Sequence, residues 1–391
     1  MPTWHNWSGR LQAHPARLVF ARSEGELSAL VRRAAGERRP VRAAGAGHSH
    51  APLVPSDGVL IDTSALAGVI SIDTAAQTAR VRAGTPIHAL GPALHVAGLA
   101  LTNQGDIDRQ AIAGACATGT HGTGTTLRNL SAAVLGMRLL LASGEFVDCD
   151  PDRNPALWQA ARLHLGAFGI VTELVLQLRN AYRLAERGWV AALDDLLPQV
   201  PALAAEARHF EFFWYPHDDR AVAKRIDETT ADPAYPRADE GGRVGWSHEV
   251  LPNHRPHRHT EMEYSVPAEH GLDCLMALRA MIRERFSELR WPVEYRTLAA
   301  DDVWLSTAYQ RDSVTISVHQ DIREDDEPYF RACEAIFLEF GGRPHWGKVH
   351  YLDGAALAHR HPRWAHWWQA RDQADPDGVF LNDFLRGLRP D

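Results

Sequence analysis

The stretch Arg42-Ala43-Ala44-Gly45-Ala46-Gly47-His48-Ser49-His50 joins the end of an apolar run to a loop that has almost no side-chain bulk. The apolar run, Val41–Ala44, predicts a strand. In the loop that follows, successive backbone N–H groups can turn toward one point and approach an anion closely, so a diphosphate can be held without a lysine. The sequence therefore predicts a strand, then a candidate diphosphate-binding turn, then His48 at its exit.

Commoner motifs do not account for this loop. The dinucleotide-binding pattern G-x-G-x-x-G finds Gly45 and Gly47 but has His50 at its third glycine. The phosphate-binding P-loop requires Gly-Lys-Ser/Thr, and neither glycine is followed by lysine. A plain turn with a capping histidine stays open as an alternative.

Composition narrows the class of protein. The 391 residues, 45% of them hydrophobic, can bury a large core and predict two domains. A net charge of −8 argues against nucleic acid or an anionic membrane as the main partner. The four cysteines form no C-x-x-C pair, which favours free thiols in a reducing compartment; they are Cys116, Cys149, Cys274 and Cys333.

The sequence also predicts the cellular location of the protein. Residues 1–10 contain no apolar segment typical of a signal peptide. The most apolar stretch, residues 132–142, is shorter than a membrane span and contains Arg138. We expect a cytoplasmic protein with no membrane partner.

The first half of the chain alternates predicted strands and helices. A capping box of Ser23 and Glu26 begins a helix that runs to about Ala35, and Thr85 is expected to cap a helix that opens with Pro86. The other predicted elements are a strand at 18–20, a strand at 58–62, a hairpin of 69–73 with 78–83, a hairpin of 135–141 with 146–148, and a strand at 170–178.

A second stretch rich in small residues runs from residue 113 to residue 124. Its glycines again suit close backbone approach, and its threonines add hydroxyl hydrogen-bond donors. A mobile surface loop is the alternative. Two such stretches in one domain favour a single long ligand that lies across both.

Three motifs together resemble the FAD domain of the vanillyl-alcohol oxidase superfamily, which has the PCMH-type fold. They are Asn6-Trp7-Ser8-Gly9, Gly45-Ala46-Gly47-His48-Ser49 and Ala117-Thr118-Gly119-Thr120-His121-Gly122. Within the superfamily they are similar to the branch of gulonolactone, galactonolactone and arabinonolactone oxidases and of alditol oxidases. The resemblance implies bound FAD, joined covalently to His48 through the 8α-methyl carbon. A neutral imidazole is a competent nucleophile for that bond.

The same resemblance implies a set of cofactor-binding residues. They are Arg42, Ala44, Gly45, Ala46, Gly47, His48, Ser49, Gly105, Asp106, Gly114, Thr118, Gly119, Thr120, His121, Gly122, Ile170 and Val171.

The expected fold class is α+β with two domains. Residues 1–180 would form the FAD-binding domain, residues 181–343 an α+β substrate (cap) domain with an antiparallel sheet, and residues 344–391 a segment that returns to the first domain. Residues 229–245 predict an exposed loop. The nearby His254, His257 and His259 match no known metal-ligand spacing, so a solvated basic loop is favoured over a metal site.

Three cap strands have one apolar and one polar face. In the first strand, alternation places Met262, Tyr264 and Val266 on the face opposite Glu261 and Glu263. In the second strand, Val293 and Tyr295 lie opposite Glu294 and Arg296. In the third strand, Val314, Ile316 and Val318 lie opposite Thr315, Ser317 and His319. An antiparallel sheet with one solvated side would show the same pattern. The resemblance assigns catalysis to Glu294 and Arg296 of Glu294-Tyr295-Arg296 and to Lys348 of Pro344-His345-Trp346-Gly347-Lys348. The weaker substrate-binding candidates are Glu261, Ser317 and His319.

These assignments imply a reaction. A substrate C–H carbon would transfer hydride to flavin N5 while its hydroxyl loses a proton, with Arg296 and Lys348 stabilising the developing negative charge. A sugar-derived polyol or 1,4-lactone is the favoured substrate, and a glycoside or nucleoside is the alternative. Gly105 is expected to leave space for O2, which predicts an oxidase that makes H2O2 and not a dehydrogenase with another acceptor. A flavin-binding protein without turnover is a further alternative.

Overall fold

The computed structural model describes residues 2–390, which form three main sheets and two small strand pairs. Helices cover part of both large sheets. No helix in this part of the chain has the length and apolarity that crossing a bilayer would require. The strands are Trp4–His5, Gln12–Ala13, Arg17–Phe20, Val41–Ala44, Val59–Asp62, Val69–Asp73, Thr78–Arg82, Leu99–Ala100, Val134–Leu140, Phe146–Cys149, Ile170–Gln177, Arg179–Asn180, Arg183–Ala192, His209–Tyr215, Arg220–Thr229, Val244–Trp246, His259–Pro267, Val293–Leu298, Ser313–Asp321 and Arg343–Pro344.

The α-helices are Glu24–Gly36, Ile87–Val96, Ile112–Thr118, Pro155–Ala161, Leu193–Leu196, Val200–Glu206, Ser247–Val250, Gly271–Arg285, Glu327–Glu339, Gly354–Arg360, Trp364–Ala374 and Asp383–Gly387. Most predicted elements of the first half are confirmed, including the cap of the first helix, where the Ser23 side chain accepts from the Glu26 N–H. The cap at Thr85 was wrong. Its hydroxyl instead donates to the Arg82 carbonyl, and Pro86 precedes the helix without a side-chain cap.

The first half contains a parallel three-stranded sheet and an antiparallel five-stranded sheet. In the parallel sheet, Val59–Asp62 lies between Arg17–Phe20 and Val41–Ala44. The loop that begins at Gly45 therefore leaves the carboxyl end of an edge strand. That position leaves its backbone groups free for contacts outside the sheet.

The second half is built on an eight-stranded sheet, in which Val293–Leu298, Ser313–Asp321 and His259–Pro267 are consecutive neighbours. The predicted alternation is confirmed, because the apolar face of these strands packs in a core against Gly271–Arg285 and Glu327–Glu339. The opposite face carries the polar side chains and turns toward the first half of the chain.

The last part of the chain packs into the core of the first half. Trp346, Trp364, Trp367 and Leu381 share one apolar cluster with side chains of the five-stranded sheet and its helices. The short strand Arg343–Pro344 still pairs with the eight-stranded sheet, so the chain crosses from one half to the other just after it.

A buried ion pair holds the turn that supports the strand Val41–Ala44. Arg371 and Asp375 are both fully buried and bonded to each other. Asp375 also accepts the Val379 and Phe380 N–H groups, at 2.9 Å each. The Val379 carbonyl in turn accepts the Val41 N–H at 2.8 Å.

Replacing Asp375 with Ala should destabilise the protein by about 3–5 kcal/mol, because the charge of Arg371 would lose its main partner inside the core. Denaturant unfolding followed by fluorescence measures this loss. The matched control is Glu327→Ala, which breaks the exposed pair with Arg331 and should leave the unfolding midpoint nearly unchanged. Equal effects of the two substitutions would contradict the assignment.

Candidate active site

Two adjoining cavities form the candidate site: one lies between the polar face of the eight-stranded sheet and the first half of the chain, and the other lies within the first half. The larger has a volume of about 760 Å³, within the usual range for ligand sites. The smaller, of about 110 Å³, runs along the loop after Ala44. Gln110 lines both cavities, so they adjoin.

The smaller cavity has the features of an anion cradle. Within residues 2–390, the backbone N–H groups of residues 46–49 donate no hydrogen bond to protein. Gly47 adopts a φ of +69°, which a side chain would disfavour, and a Cβ on Gly114 would project into open space. Free amides and missing side-chain bulk on two facing stretches fit the diphosphate of an extended dinucleotide.

His48 lies at the end of this cradle. Its ring stacks on Trp7, with 5.5 Å between ring centroids. Burial, helped by the charge of Lys348, lowers the pKa of His48 to about 4. The imidazole is therefore neutral at pH 7, which is the form that acts as a nucleophile.

In the larger cavity, strand register brings the catalytic candidates together. Glu263 pairs with Ser317, and Ser317 pairs with Glu294 across the next strand. Because side chains that face each other on neighbouring antiparallel strands lie about 5 Å apart, the polar groups of three strands form one cluster.

Glu263 is the centre of that cluster. Its carboxylate accepts from Arg296 Nη2 at 2.6 Å and from Ser317 Oγ at 2.7 Å. The Nε2 atom of His121 lies 2.6 Å from the other oxygen, and His121 Nδ1 lies 2.8 Å from the Gly122 carbonyl. Each ring nitrogen of His121 therefore faces an oxygen atom. Burial raises the pKa of Glu263, but His121 and Arg296 outweigh it and hold the pKa well below its usual value.

Glu294 differs from Glu263 in that its carboxyl group is mostly protonated at neutral pH. It lies 3.4 Å from Arg296, yet burial raises the pKa of Glu294 to about 8 against the pull of that arginine. Nearby Glu211 and Asp106 add to the increase. At neutral pH the Glu294 carboxyl is therefore mostly protonated and can donate a hydrogen bond.

Lys348 enters the cavity beside Glu261, and its ammonium group donates to Glu261 Oε2. Burial raises the pKa of Glu261, but the charge of Lys348 outweighs it and holds the pKa well below its usual value. His319 donates from Nδ1 to the Pro292 carbonyl at 2.8 Å, which leaves Nε2 as an acceptor. Burial lowers the pKa of His319 to about 4, so this acceptor is uncharged.

A second set of charges lies elsewhere along the larger cavity. Arg255 donates to Asp106 at 2.6 Å, and Lys224 lies 2.5 Å from Glu211. Glu240 approaches both cations, at 3.4 Å from Arg255 and 3.6 Å from Lys224. The four cations of this cavity are therefore all held by carboxylates.

Most of the residues expected at the site line one of the two cavities. The larger is lined by Gly105, Asp106, Thr120, His121, Glu261, Glu294, Arg296, His319 and Lys348. The smaller is lined by Arg42, Gly45, Ala46, Gly47, His48, Ser49, Gly114, Thr118 and Val171. The expected residues that line neither are Ala44, Gly119, Gly122, Ile170 and Ser317.

Three of the expected residues make other contacts in this structure. The Ser317 hydroxyl donates to Glu263, and Ser317 lines neither cavity. Ile170 packs in the core. The guanidinium of Arg42 donates to four backbone carbonyls, those of Leu53, Leu165, Gly166 and Phe380, so it supports the loop from behind.

Two further expectations concern the wall of the larger cavity. Gly105 lines this cavity, and a Cβ added to it would lie 3.1 Å from the His121 carbonyl oxygen and 3.2 Å from Thr120 Cγ2, so the wall has little room for a side chain at this position. His254 and His257 are exposed, as expected for a solvated loop, and with the half-buried His259 they line the mouth of the cavity.

Sequence reasoning missed several groups at the site. Glu263 shares a strand face with Glu261, and that alternation was the available signal. Glu211 stands among aromatic neighbours in its strand, and Lys224 follows the apolar run 221–223; a charged residue in such a place is a weak sign of a functional face. The histidine-rich segment did single out His259, but its spacing matched no ligand pattern, because the neighbours of His259 at the site come from distant parts of the chain.

Models of two protein families match the chain. The first is described as FAD binding domain and matches residues 15–150, which include the loop at Gly45 and the stretch at His121. The second is described as D-arabinono-1,4-lactone oxidase and matches residues 174–243 and 237–388. The second match includes Glu294, Arg296 and Lys348.

Individual relatives are similar to this chain over nearly its full length, as is the fold of a solved structure. The chain is 35% identical to an L-gulono-1,4-lactone dehydrogenase of Mycobacterium tuberculosis and 32% identical to an alditol oxidase of a Streptomyces species, over 98% of each chain. A mouse L-gulonolactone oxidase is 26% identical, over 98% of this chain and 97% of the relative. A solvent-stable cholesterol oxidase has the same fold, with a TM-score of 0.87 and 19% identity over 99% and 97% of the two chains. The chain therefore belongs to the family of FAD-dependent aldonolactone and alditol oxidoreductases.

Proposed function

We propose that this protein oxidises the CH–OH group of a neutral sugar-derived polyol or 1,4-lactone and passes the electrons to O2, which gives H2O2. One observation carries the proposal. Glu294, Arg296 and Lys348 converge in one cavity that adjoins an anion cradle. The related proteins named above act on lactones and alditols.

FAD, held along the two glycine-rich stretches, supplies the two-electron acceptor. Arg296 and Lys348 hold positive charge beside the hydroxyl oxygen of the substrate, where negative charge develops as the O–H proton leaves. Glu263 and Glu261 fix the directions of these two cations. Protonated Glu294 donates to a substrate oxygen, and His319 Nε2 accepts from a substrate hydroxyl.

His48 is the proposed point of covalent attachment to the cofactor. Support comes from its position at the end of the cradle and from its neutral imidazole. Trp7 stacks on the ring and limits its orientation. The four free cysteines are all buried, which fits our proposal of a cytoplasmic protein.

The function is tested with a panel of alditols, 1,4-lactones, a glycoside and a nucleoside. At least one neutral alditol or lactone should bleach the flavin of the purified enzyme without oxygen, and should drive equal O2 uptake and H2O2 formation in air. Oxygen-electrode and peroxide measurements give both quantities. Bleaching without O2 uptake would indicate a dehydrogenase, and no bleaching by any donor would contradict the proposal.

Removing either cation should slow the reaction. We expect Lys348→Met and Arg296→Met each to lower kcat/KM by about 10²–10³-fold, the usual loss for one group that stabilises charge in the transition state. Steady-state kinetics with measured flavin content checks this. Arg296→Lys, which keeps the charge and loses the planar fork, should fall between wild type and Arg296→Met. Unchanged kcat/KM in both methionine variants would exclude this role.

His48→Ala tests the attachment. After acid precipitation, the yellow colour should stay with the wild-type pellet and move to the supernatant for the variant, because only a covalent flavin resists denaturation. The visible spectra of both fractions give the result. His257→Ala serves as the control, since that histidine lines the other cavity. Release of the flavin from the wild type would remove the bond and leave the FAD assignment intact.

A further inference from the structure

A compact group of nitrogen atoms surrounds one carboxylate oxygen at the wall of the larger cavity. Glu261 Oε2 accepts from the Lys348 ammonium group. The same oxygen lies 3.5 Å from His259 Nε2 and 3.8 Å from His50 Nε2. One ligand atom from each of His50, His259 and Glu261 lies within 4.8 Å of the others.

The hydrogen bonding of His259 prepares it as a ligand. Its Nδ1 atom lies 3.0 Å from the His257 carbonyl oxygen, which can only accept, so Nδ1 carries the proton. The Nε2 atom is then the ring nitrogen that faces the Glu261 carboxylate and can bind a metal in place of a proton. Metal-binding histidines commonly have this arrangement, in which a backbone carbonyl fixes the other ring nitrogen.

His50 is a buried imidazole beside Glu261. Its side chain is 4% exposed, and its Nε2 atom lies 3.8 Å from Glu261 Oε2. Within residues 2–390, its Nδ1 atom has no hydrogen-bond partner. Burial first, and then Lys348, hold the pKa of His50 well below its usual value, so the ring is neutral at pH 7. A neutral imidazole has one unprotonated ring nitrogen, so His50 can turn a lone pair toward Glu261 as a metal ligand must. Its backbone N–H, bonded to the Gly347 carbonyl at 2.7 Å, keeps it beside Lys348.

The separations suit a tetrahedral metal centre. Zinc binds histidine nitrogen and carboxylate oxygen at about 2.0–2.2 Å, so two ligands at a tetrahedral angle lie about 3.3–3.5 Å apart. The observed 3.5 Å and 3.8 Å between Glu261 and the two imidazoles need only small movements to reach that range. Two histidines and one carboxylate form a common zinc ligand set with one open position.

We propose that His50, His259 and Glu261 form a binding site for a divalent transition metal of the zinc class, in competition with the Lys348 ammonium group. The lysine and the metal need the same carboxylate oxygen, and their like charges repel each other. Side-chain exposure of 21% leaves Lys348 room to withdraw into the cavity. Because the metal separates Lys348 from the carboxylate that orients it, metal binding inhibits the enzyme reversibly. His319 stays outside the ligand set, as its Nε2 lies 3.7 Å from the other oxygen, Oε1.

The probe is Co²⁺, added to untagged, FAD-loaded enzyme in a buffer that does not chelate metals. Low-coordinate Co²⁺ at this site should give visible d–d absorption at longer wavelength than the oxidised flavin band, and a chelator should remove it. His50→Asn and His259→Asn should each weaken binding at least about tenfold, a change of about 1.4 kcal/mol. The matched control is His257→Asn, which changes a neighbouring histidine of the same loop and should bind Co²⁺ as the wild type does.

Lys348→Met gives a test that a nonspecific histidine site would fail. Removal of the competing ammonium group should tighten Co²⁺ binding at least about tenfold. Weaker or unchanged binding in this variant, wild-type binding in the His50 and His259 variants, or no Co²⁺ band at all would overturn the proposal. Because these readouts follow metal absorption and not turnover, they are independent of the function proposed above.

Discussion

The carboxylate of Glu263 joins the two halves of the molecule and holds the arginine that the reaction needs. Its side chain is only 1% exposed, where an unpaired charge would be very unfavourable. Donors from His121, Arg296 and Ser317 satisfy it from three directions. His121 belongs to the second glycine-rich stretch, so the cofactor cradle and the catalytic arginine share one hydrogen-bonded group.

A buried carboxylate that orients a cation occurs twice in the cavity. Glu261 bonds to Lys348 in the same way that Glu263 bonds to Arg296. In both pairs burial favours the neutral acid, and the neighbouring cation keeps the carboxylate charged. Such pairs are weak contributors to stability. Their value here is that charge is already oriented before a substrate arrives, so little reorganisation accompanies the reaction.

Local sequence patterns predicted many of the strands and helices of this fold. They did not predict which strands pair with each other or in which register. Period-two alternation placed Glu261 with Glu263 and Glu294 with Arg296 on the polar faces, because each face is a property of one strand. Which strand lies beside which is set by the packing of the whole sheet. The bond between Ser317 and Glu263 and the approach of His50 to His259 therefore could not be read from spacing. The close approach of Thr120 and His121 to Gly105 is another contact that spacing along the chain does not reveal.

The charge balance of the larger cavity bears on the substrate. Arg296, Lys348, Arg255 and Lys224 each have a carboxylate partner. Glu294, the remaining buried acid, is mostly neutral at pH 7 because burial raises its pKa to about 8. A charged substrate group would have to break one of these pairs and leave a partner unpaired, which costs several kcal/mol for a buried group. Neutral hydroxyl and lactone oxygens avoid that cost, because they bond to the remaining donors and acceptors without disturbing any ion pair. The cavity therefore favours a neutral polyol or lactone over a sugar acid, for a reason that lies in its own charges.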